Sequence, residues 1–134
     1  MTVFVDTSAF FAILDADDAM HAAAAAYFAT ALESGVHLIT SNYVVVETSA
    51  LTRSRLGAAA FRAFTQDLLP VAEIEWVTPE QHAAATSAAL LVGSAGPSLV
   101  DCTSFEVMRA FGIRTAFAHD RHFSAAGFES AQAG

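Results

Sequence analysis

Short runs of β-branched and aromatic residues alternate with longer helix-forming stretches along the chain. The predicted strands cover Val3–Val5, His37–Thr40, Ile74–Val77 and Thr115–Ala118, with an edge strand around Phe128. Short apolar strands separated by long helices are typical of a parallel sheet that is covered on both faces. We therefore predict an α/β fold, a three-layer α/β/α sandwich with a central, mainly parallel sheet of four to five strands.

Helix start and stop signals fill the intervals between these strands. Serine, threonine, asparagine or aspartate precedes several of the helix-forming stretches, and glycine or proline follows them. The predicted helices cover residues 8–14, 19–33, 43–55, 58–69, 79–92 and 98–112, and residues 119–127 form a turn that could hold a further short helix. No linker or repeat interrupts this order, so we expect residues 1–134 to form a single domain.

The composition is that of a folded chain. Of its 134 residues, 54% are hydrophobic and only 15% are charged, which excludes extensive disorder. No apolar run reaches the roughly 18 residues that a membrane-spanning helix needs. The first six residues carry no basic side chain and end at an aspartate, unlike a secretory signal. We therefore expect a cytoplasmic protein with no membrane partner.

Missing residue types exclude several functions. The chain has no lysine, and therefore neither a Walker A phosphate loop nor a lysine Schiff base. Cys102 is the only cysteine, so an internal disulfide and a zinc site of paired cysteines are both excluded. The net charge of −8 argues against nucleic acid as a partner. It does not exclude one, because bound cations and a local group of arginines can reverse the potential of one cleft.

Two acids follow the ends of predicted strands. Asp6 comes directly after the first strand, and Asp120 lies two residues beyond the fourth. In an open α/β sheet, ligands bind beyond the carboxyl ends of the strands, so both acids belong to the edge where ligands are expected. Burying a charge in the apolar segment around Asp6 is costly without a partner. Asp6 therefore either caps the helix that follows or holds a positive charge.

Two further acids lie on the apolar faces of predicted helices. Glu47 has Tyr43, Val44, Ala50 and Leu51 as helical neighbours, and Asp101 lies between Ser98 and Phe105 on its own helix. Alone, each of the four acids has an ordinary explanation as a cap, an ion-pair partner or a first-turn charge. Together they would repel each other at one edge of one sheet. Hard cations relieve such repulsion, so we predict that the cluster binds Mg²⁺ or Mn²⁺.

Four segments, taken in order, resemble those of a PIN domain, and specifically of a VapC-type ribonuclease toxin from a toxin–antitoxin pair. The segments are VDTSAFFAILDADDAMH with Asp6 and Ser8, YVVVETSALT with Glu47, SLVDCTSFEVMRAFGI with Asp101, and AFAHDRHF with Asp120. The resemblance covers essentially the whole chain. It implies a metal-dependent endoribonuclease in which these four acids are catalytic and Ser8 supports them. It also implies a homodimer and a cognate antitoxin that lays a helical segment over the active-site groove.

The expected site has two direct metal ligands, Asp6 and Asp101, while Glu47 and Asp120 complete the shell directly or through water. One position departs from the family pattern. Many relatives carry threonine or serine two residues before the fourth acid, where this chain has Ala118. The neighbouring His119 is either a bystander or tunes the site near neutral pH.

Arginines that follow the acids are candidate RNA contacts. Arg53 and Arg55 lie on the same predicted helix as Glu47, Arg62 lies on the next helix, and Arg121 adjoins Asp120. The alternatives for each are a solvated helix face or a local ion pair. Of the five histidines only those at positions 119 and 122 are close in sequence, and a histidine zinc site is not favoured.

Other functions remain possible at this point. A phosphatase of the haloacid dehalogenase type also places an aspartate after its first strand. It needs a second aspartate where this chain has Ser8, and a lysine that is absent. A catalytically silent PIN-fold interaction module is a further alternative, although all four acidic positions are filled. A PIN nuclease that processes RNA, rather than acting as a toxin, is not excluded.

Overall fold

The computed structural model describes residues 1–132, which build a five-stranded sheet in which every pair of neighbours is parallel. The central strand is β1, and the order across the sheet is β3-β2-β1-β4-β5. The strands are β1 (Thr2–Val5), β2 (His37–Ser41), β3 (Glu73–Glu75), β4 (Thr115–Phe117) and β5 (Glu129–Ser130). The fold class is as predicted, and the edge strand near Phe128 is present.

Helices occupy the connections between the strands. They are α1 (Thr7–Leu14), α2 (His21–Glu33), α3 (Asn42–Leu56), α4 (Ala58–Ala63), α5 (Pro79–Val92), α6 (Leu99–Ala110) and α7 (Arg121–Ala125). Local signals account for several starts. Thr78 and Ser98 each form a capping box at the head of α5 and α6, and Pro79 takes the first position of α5. Within residues 1–132, the structure contains no helix with the length and apolar character to cross a membrane.

The predicted helix over residues 58–69 is helical throughout, but only its first half is an α-helix. The α-helix ends at Ala63 and continues as a π-helical turn, Phe64–Leu68, and a 3₁₀ turn, Leu69–Val71. Pro70 lies inside this last turn instead of ending the helix, because an early position of a short helix needs no N–H from it. The helical turns run to Val71, two residues beyond the predicted end, and β3 covers Glu73–Glu75 where Ile74–Val77 was predicted.

The core explains why β1 stands at the centre of the sheet. Val3, Phe4 and Val5 are completely buried, as expected for a strand with neighbours on both sides and helices above and below. The Phe10 and Phe64 rings meet edge to face with centroids 5.1 Å apart. This contact joins α1 to the turn Phe64–Leu68 within the core.

Candidate metal centre

One cleft at the carboxyl edge of the sheet brings the four predicted acids together. It lies where β1 and β4 end, the position that α/β architecture favours for ligands. Its polar and charged lining consists of Asp6, Thr7, Ser8, Glu47, Ser98, Asp101, Asp120 and His122. The convergence predicted for the strand-end acids and the helix acids is therefore present in the structure. Their roles in metal binding and catalysis remain predictions.

Asp6 both caps a helix and keeps one oxygen free. Its main-chain N–H donates to the Phe117 carbonyl (3.0 Å), which ties it to β4. Its Oδ2 accepts from the Ser8 N–H (3.1 Å) and from the Ser8 hydroxyl (2.7 Å). The residue is only 3% exposed, and within residues 1–132 its Oδ1 has no hydrogen-bond partner. Both roles considered for Asp6 are thus compatible, since the cap uses one oxygen and leaves the other for a cation.

Ser8 joins two acidic segments that lie far apart in the sequence. Its hydroxyl donates to Asp6 and accepts from the His119 N–H (2.9 Å). Asp120 is the next residue, so Ser8 fixes the start of the segment that carries the fourth acid. Ala118 offers no hydroxyl there, and the segment is attached through the main chain of His119 instead.

Asp101 is placed by the first turn of α6. The Ser98 hydroxyl accepts from the Asp101 N–H (3.1 Å), and Asp101 Oδ2 accepts from the Ser98 N–H (3.0 Å). This reciprocal pair is a capping box, which holds the carboxylate in one orientation. Asp101 is 7% exposed, which makes it a buried acid in the cleft.

Asp120 also begins a helix. It is the N-cap of α7, and its Oδ1 accepts from the His122 N–H (2.8 Å). Donor atoms of Asp101, Asp120 and His122 all lie within 4.8 Å of one another. Among the described residues, this trio is the one group of three or more possible metal ligands at such distances, and Asp6 and Glu47 line the same cleft but lie outside the group.

Glu47 does not occupy the core-facing stripe expected of it. The buried positions of α3 are Val44, Thr48 and Thr52, and Glu47 lies beside them, half-buried at the cleft. A residue next to Thr48 in a helix is rotated by about 100° from it, so Glu47 leaves the core. Its partial exposure is what allows it to face a ligand.

Burial and mutual repulsion both disfavour charge in this cleft. Burial raises the pKa of Asp6 to about 6, and the Asp101 and Glu47 charges add smaller contributions. Burial likewise raises the pKa of Glu47 and of Asp101, each with a contribution from Asp120. Within residues 1–132 no arginine lies within 4.0 Å of a carboxylate oxygen, so no guanidinium neutralises the cluster. A cluster of carboxylate oxygens, of which Asp6 Oδ1 is buried and has no hydrogen-bond partner, fits a divalent cation such as Mg²⁺ or Mn²⁺.

His122 is the site residue that sequence reasoning missed. The two neighbouring histidines separate in the structure: His122 lines the acidic cleft, while His119 lines an adjoining cleft with Arg121 and Ser124. Burial lowers the pKa of His119. A signal for His122 was present, because an N-cap aspartate accepts from the N–H two residues ahead and so holds that residue close to the carboxylate.

The four arginines predicted to contact RNA lie outside the acidic cleft. Arg53 and Arg62 line one shared cleft with Phe61 and Gln66, and Arg55 is exposed on the last turn of α3. Arg121 is exposed beside Asp120. Because no ion pair joins an arginine to a carboxylate among residues 1–132, these guanidinium groups are not occupied by local acids.

The fold is that of a PIN domain. The PIN domain family model matches residues 3–129, and the chain belongs to this family. Over 127 residues it is 39% identical to the 23S rRNA-specific endonuclease VapC20 of Mycobacterium tuberculosis, covering 94% of this chain and 95% of the relative. The resemblance to a VapC-type protein is thereby confirmed.

Solved structures agree with this family membership. The crystal structure of Mycobacterium tuberculosis VapC20, described as a sarcin-ricin loop cleaving toxin, superposes with a TM-score of 0.82 at 38% identity and covers 94% of this chain and 95% of that one. FitAcB from Neisseria gonorrhoeae shares the fold with a TM-score of 0.68 at 18% identity, covering 97% of this chain and 96% of that one.

Proposed function

We propose that the protein is a divalent-metal-dependent endoribonuclease that hydrolyses phosphodiester bonds in RNA. The observation that carries the proposal is the buried, unpartnered Oδ1 of Asp6 in a cleft with three further carboxylates. An acidic cluster alone is common on protein surfaces, but a buried oxygen without a partner costs on the order of 1–3 kcal/mol unless a ligand satisfies it. A cation is the ligand that relieves this cost and the repulsion together.

Asp6 and Asp101 would hold the ion directly, with Glu47 and Asp120 completing the shell directly or through water. When bound, Mg²⁺ or Mn²⁺ supplies Lewis acidity, which favours attack by water on phosphorus and neutralises charge on the leaving oxygen. The chain itself supplies orientation. Asp6, Asp101 and Asp120 are each held by a main-chain N–H at a helix start, so little reorganisation is needed when the ion and substrate arrive.

RNA is the proposed substrate, and the toxin of a toxin–antitoxin pair is the proposed biological role. Support comes from the relative named as a 23S rRNA-specific endonuclease and from the structure described as a toxin. Structured 23S rRNA segments are therefore the first substrates to try. In this proposal the protein acts as a homodimer, and a cognate antitoxin covers the cleft. Arg53, Arg55, Arg62 and Arg121 are the proposed phosphate contacts.

Asp101→Asn tests the proposal with minimal change in shape. Purified protein is incubated with 23S rRNA segments and a mixed set of structured RNAs in Mn²⁺, beside EDTA. We expect cleavage that EDTA abolishes and that falls by at least 100-fold in the variant, because the lost charge weakens binding of the ion. Asp67→Asn, the same change at an exposed site outside the cleft, should leave cleavage intact.

Circular dichroism of the Asp101→Asn protein establishes that it is folded. Full activity in a folded Asp101→Asn protein would contradict the assignment. Protein that binds Mn²⁺ but cleaves nothing would leave the metal site standing and point to a narrow RNA target. Protein that neither binds Mn²⁺ nor cleaves RNA would favour a silent PIN-fold interaction module.

A further inference from the structure

We propose that His122 is a nitrogen ligand of the metal centre and makes it selective for Mn²⁺ over Mg²⁺. The inference rests on the proposed metal-dependent function and extends it to the identity of the ion. A second, independent feature supports a cation here, since the cleft also contains the buried and unpartnered Oδ1 of Asp6.

Geometry places the imidazole where a ligand would stand. His122 Nε2 lies 3.9 Å from Asp120 Oδ1, beyond hydrogen-bonding distance, and both side chains are about three-quarters buried, with 23% and 28% of their surfaces exposed. Asp101 contributes a carboxylate oxygen to the same group of donor atoms, all within 4.8 Å of one another. Two donors 3.9 Å apart, such as His122 Nε2 and Asp120 Oδ1, can share one ion at ligand distances of roughly 2.0–2.3 Å.

Local structure holds this arrangement in place. The His122 N–H donates to Asp120 Oδ1 (2.8 Å), so the two ligating residues are fixed to each other by the first turn of α7. Asp101 is fixed independently by its capping box with Ser98. Two separate helix starts therefore present one imidazole and two carboxylates to a single point.

The donor set determines which ion is favoured. Carboxylate oxygens suit Mg²⁺ and Mn²⁺ alike, whereas an imidazole nitrogen suits first-row transition ions and contributes little to binding of Mg²⁺. With His122 in the shell, the site should bind Mn²⁺ more tightly than Mg²⁺ by a margin that depends on this one ring. A histidine that only touched the RNA would leave the relative affinities of the two ions unchanged.

His122→Phe removes both ring nitrogens while keeping an aromatic side chain of similar size. Mn²⁺ affinity is measured by electron paramagnetic resonance titration of metal-free protein, with Mg²⁺ as the competitor. We expect the Mn²⁺ affinity to fall about 10-fold or more and the Mg²⁺ affinity to change less than about threefold. His37→Phe is the matched control, because His37 is exposed at the start of β2 on the opposite, amino edge of the sheet, and it should change neither value.

A spectroscopic readout tests ligation without any substitution. In the Mn²⁺-loaded natural protein, electron spin-echo spectra should show coupling to an imidazole nitrogen, altered by ¹⁵N-histidine labelling and absent from His122→Phe. Equal losses of Mn²⁺ and Mg²⁺ affinity, or Mn²⁺ bound without nitrogen coupling, would overturn the inference and leave the carboxylate site standing. Natural protein that binds no Mn²⁺ would overturn the proposed metal-dependent function as well.

Discussion

At the scale of the residue, Asp6 makes the metal-free protein sensitive to pH. Its carboxyl has an ordinary pKa near 3.8, which burial raises to about 6 in the folded state. Between these values the folded state binds a proton that the unfolded state has released, so stability falls as pH rises. Above pH 6 the full loss is present. This rise in the pKa of Asp6 corresponds to a decrease in the free energy of unfolding on the order of 3 kcal/mol.

Asp6→Asn should therefore stabilise the metal-free protein at high pH. In EDTA at pH 8 we expect the variant to have a higher free energy of unfolding than the natural protein, because the buried charge is gone while an oxygen remains to cap α1. At pH 4 the two proteins should differ little. Urea unfolding at both pH values is the measurement. A variant destabilised equally at both would show that the Asp6 charge carries no burial cost.

The residues of the cleft could be identified from the sequence only where neighbouring residues determine where each side chain lies. Asp6 and Asp120 were found from strand ends, and Asp101 from helical periodicity. Glu47 was found too, but on the wrong side of its helix, because the face that α3 buries depends on what packs against it. His122 and Asp101 are separated by 20 residues in the sequence and lie on different helices, α7 and α6. Their proximity depends on how these helices pack, which no local sequence pattern reveals.

At the scale of the element, the starts of α1, α6 and α7 serve the fold and the site at once. Each has an acid that accepts from a main-chain N–H: Asp6 and Asp120 from the first turn, and Asp101 from the N-cap residue Ser98. Such caps are typically worth about 1 kcal/mol. The helix α5 begins with a capping box of the same type as that of α6, built from Thr78 and Gln81. Neither residue lines the acidic cleft, so this cap serves the helix alone.

Ser98→Ala and Thr78→Ala form a matched pair. Each removes a capping hydroxyl, and each should lower the free energy of unfolding by about 1 kcal/mol. Only Ser98→Ala should also weaken Mn²⁺ binding, by severalfold, because the Asp101 main chain loses the hydroxyl acceptor that fixes it. Urea unfolding and Mn²⁺ titration of both variants are the measurements. Equal Mn²⁺ affinities in the two variants would show that the α6 cap serves stability alone.

Helices and strands could be predicted where neighbouring residues in the sequence determine their bounds. The capping signals at Thr78 and Ser98 and the apolar strands were identified from neighbouring residues. The π-helical turn Phe64–Leu68 was not, since Phe64 and Leu68 are both buried there and tertiary packing overrides local preference.

At the scale of the whole molecule, the chain is acidic and the proposed substrate is a polyanion. With a net charge of −8, attraction to RNA in this proposal has to come from the proposed metal ion and from locally placed arginines. Arg53 and Arg62 share a cleft, whereas Arg114 immediately precedes β4 and so lies at the opposite, amino edge of the sheet. The six arginines therefore differ in position relative to the acidic cleft, and this difference can be tested.

Arg53→Glu should weaken RNA binding and reduce the salt dependence of the binding constant, with the slope against log salt falling by about one per lost phosphate contact. Arg114→Glu makes the same charge change at the far edge and should have a smaller effect on both. Fluorescence anisotropy with catalytically inactive Asp101→Asn protein across a salt series is the measurement. Identical slopes for the two variants would remove Arg53 from the RNA surface.

Asp6 and Asp120 cap helices as well as lining the acidic cleft, and this limits which substitutions the protein can accept during evolution. A lineage that no longer needs RNA cleavage loses the selective reason to keep negative charge at Asp6 and Asp120, but α1 and α7 still need an acceptor at the N-cap. Drift should then convert these acids to asparagine or serine more readily than to apolar residues. Inactive descendants would thus keep asparagine or serine at these N-cap positions, and those residues would mark where the acidic site had been.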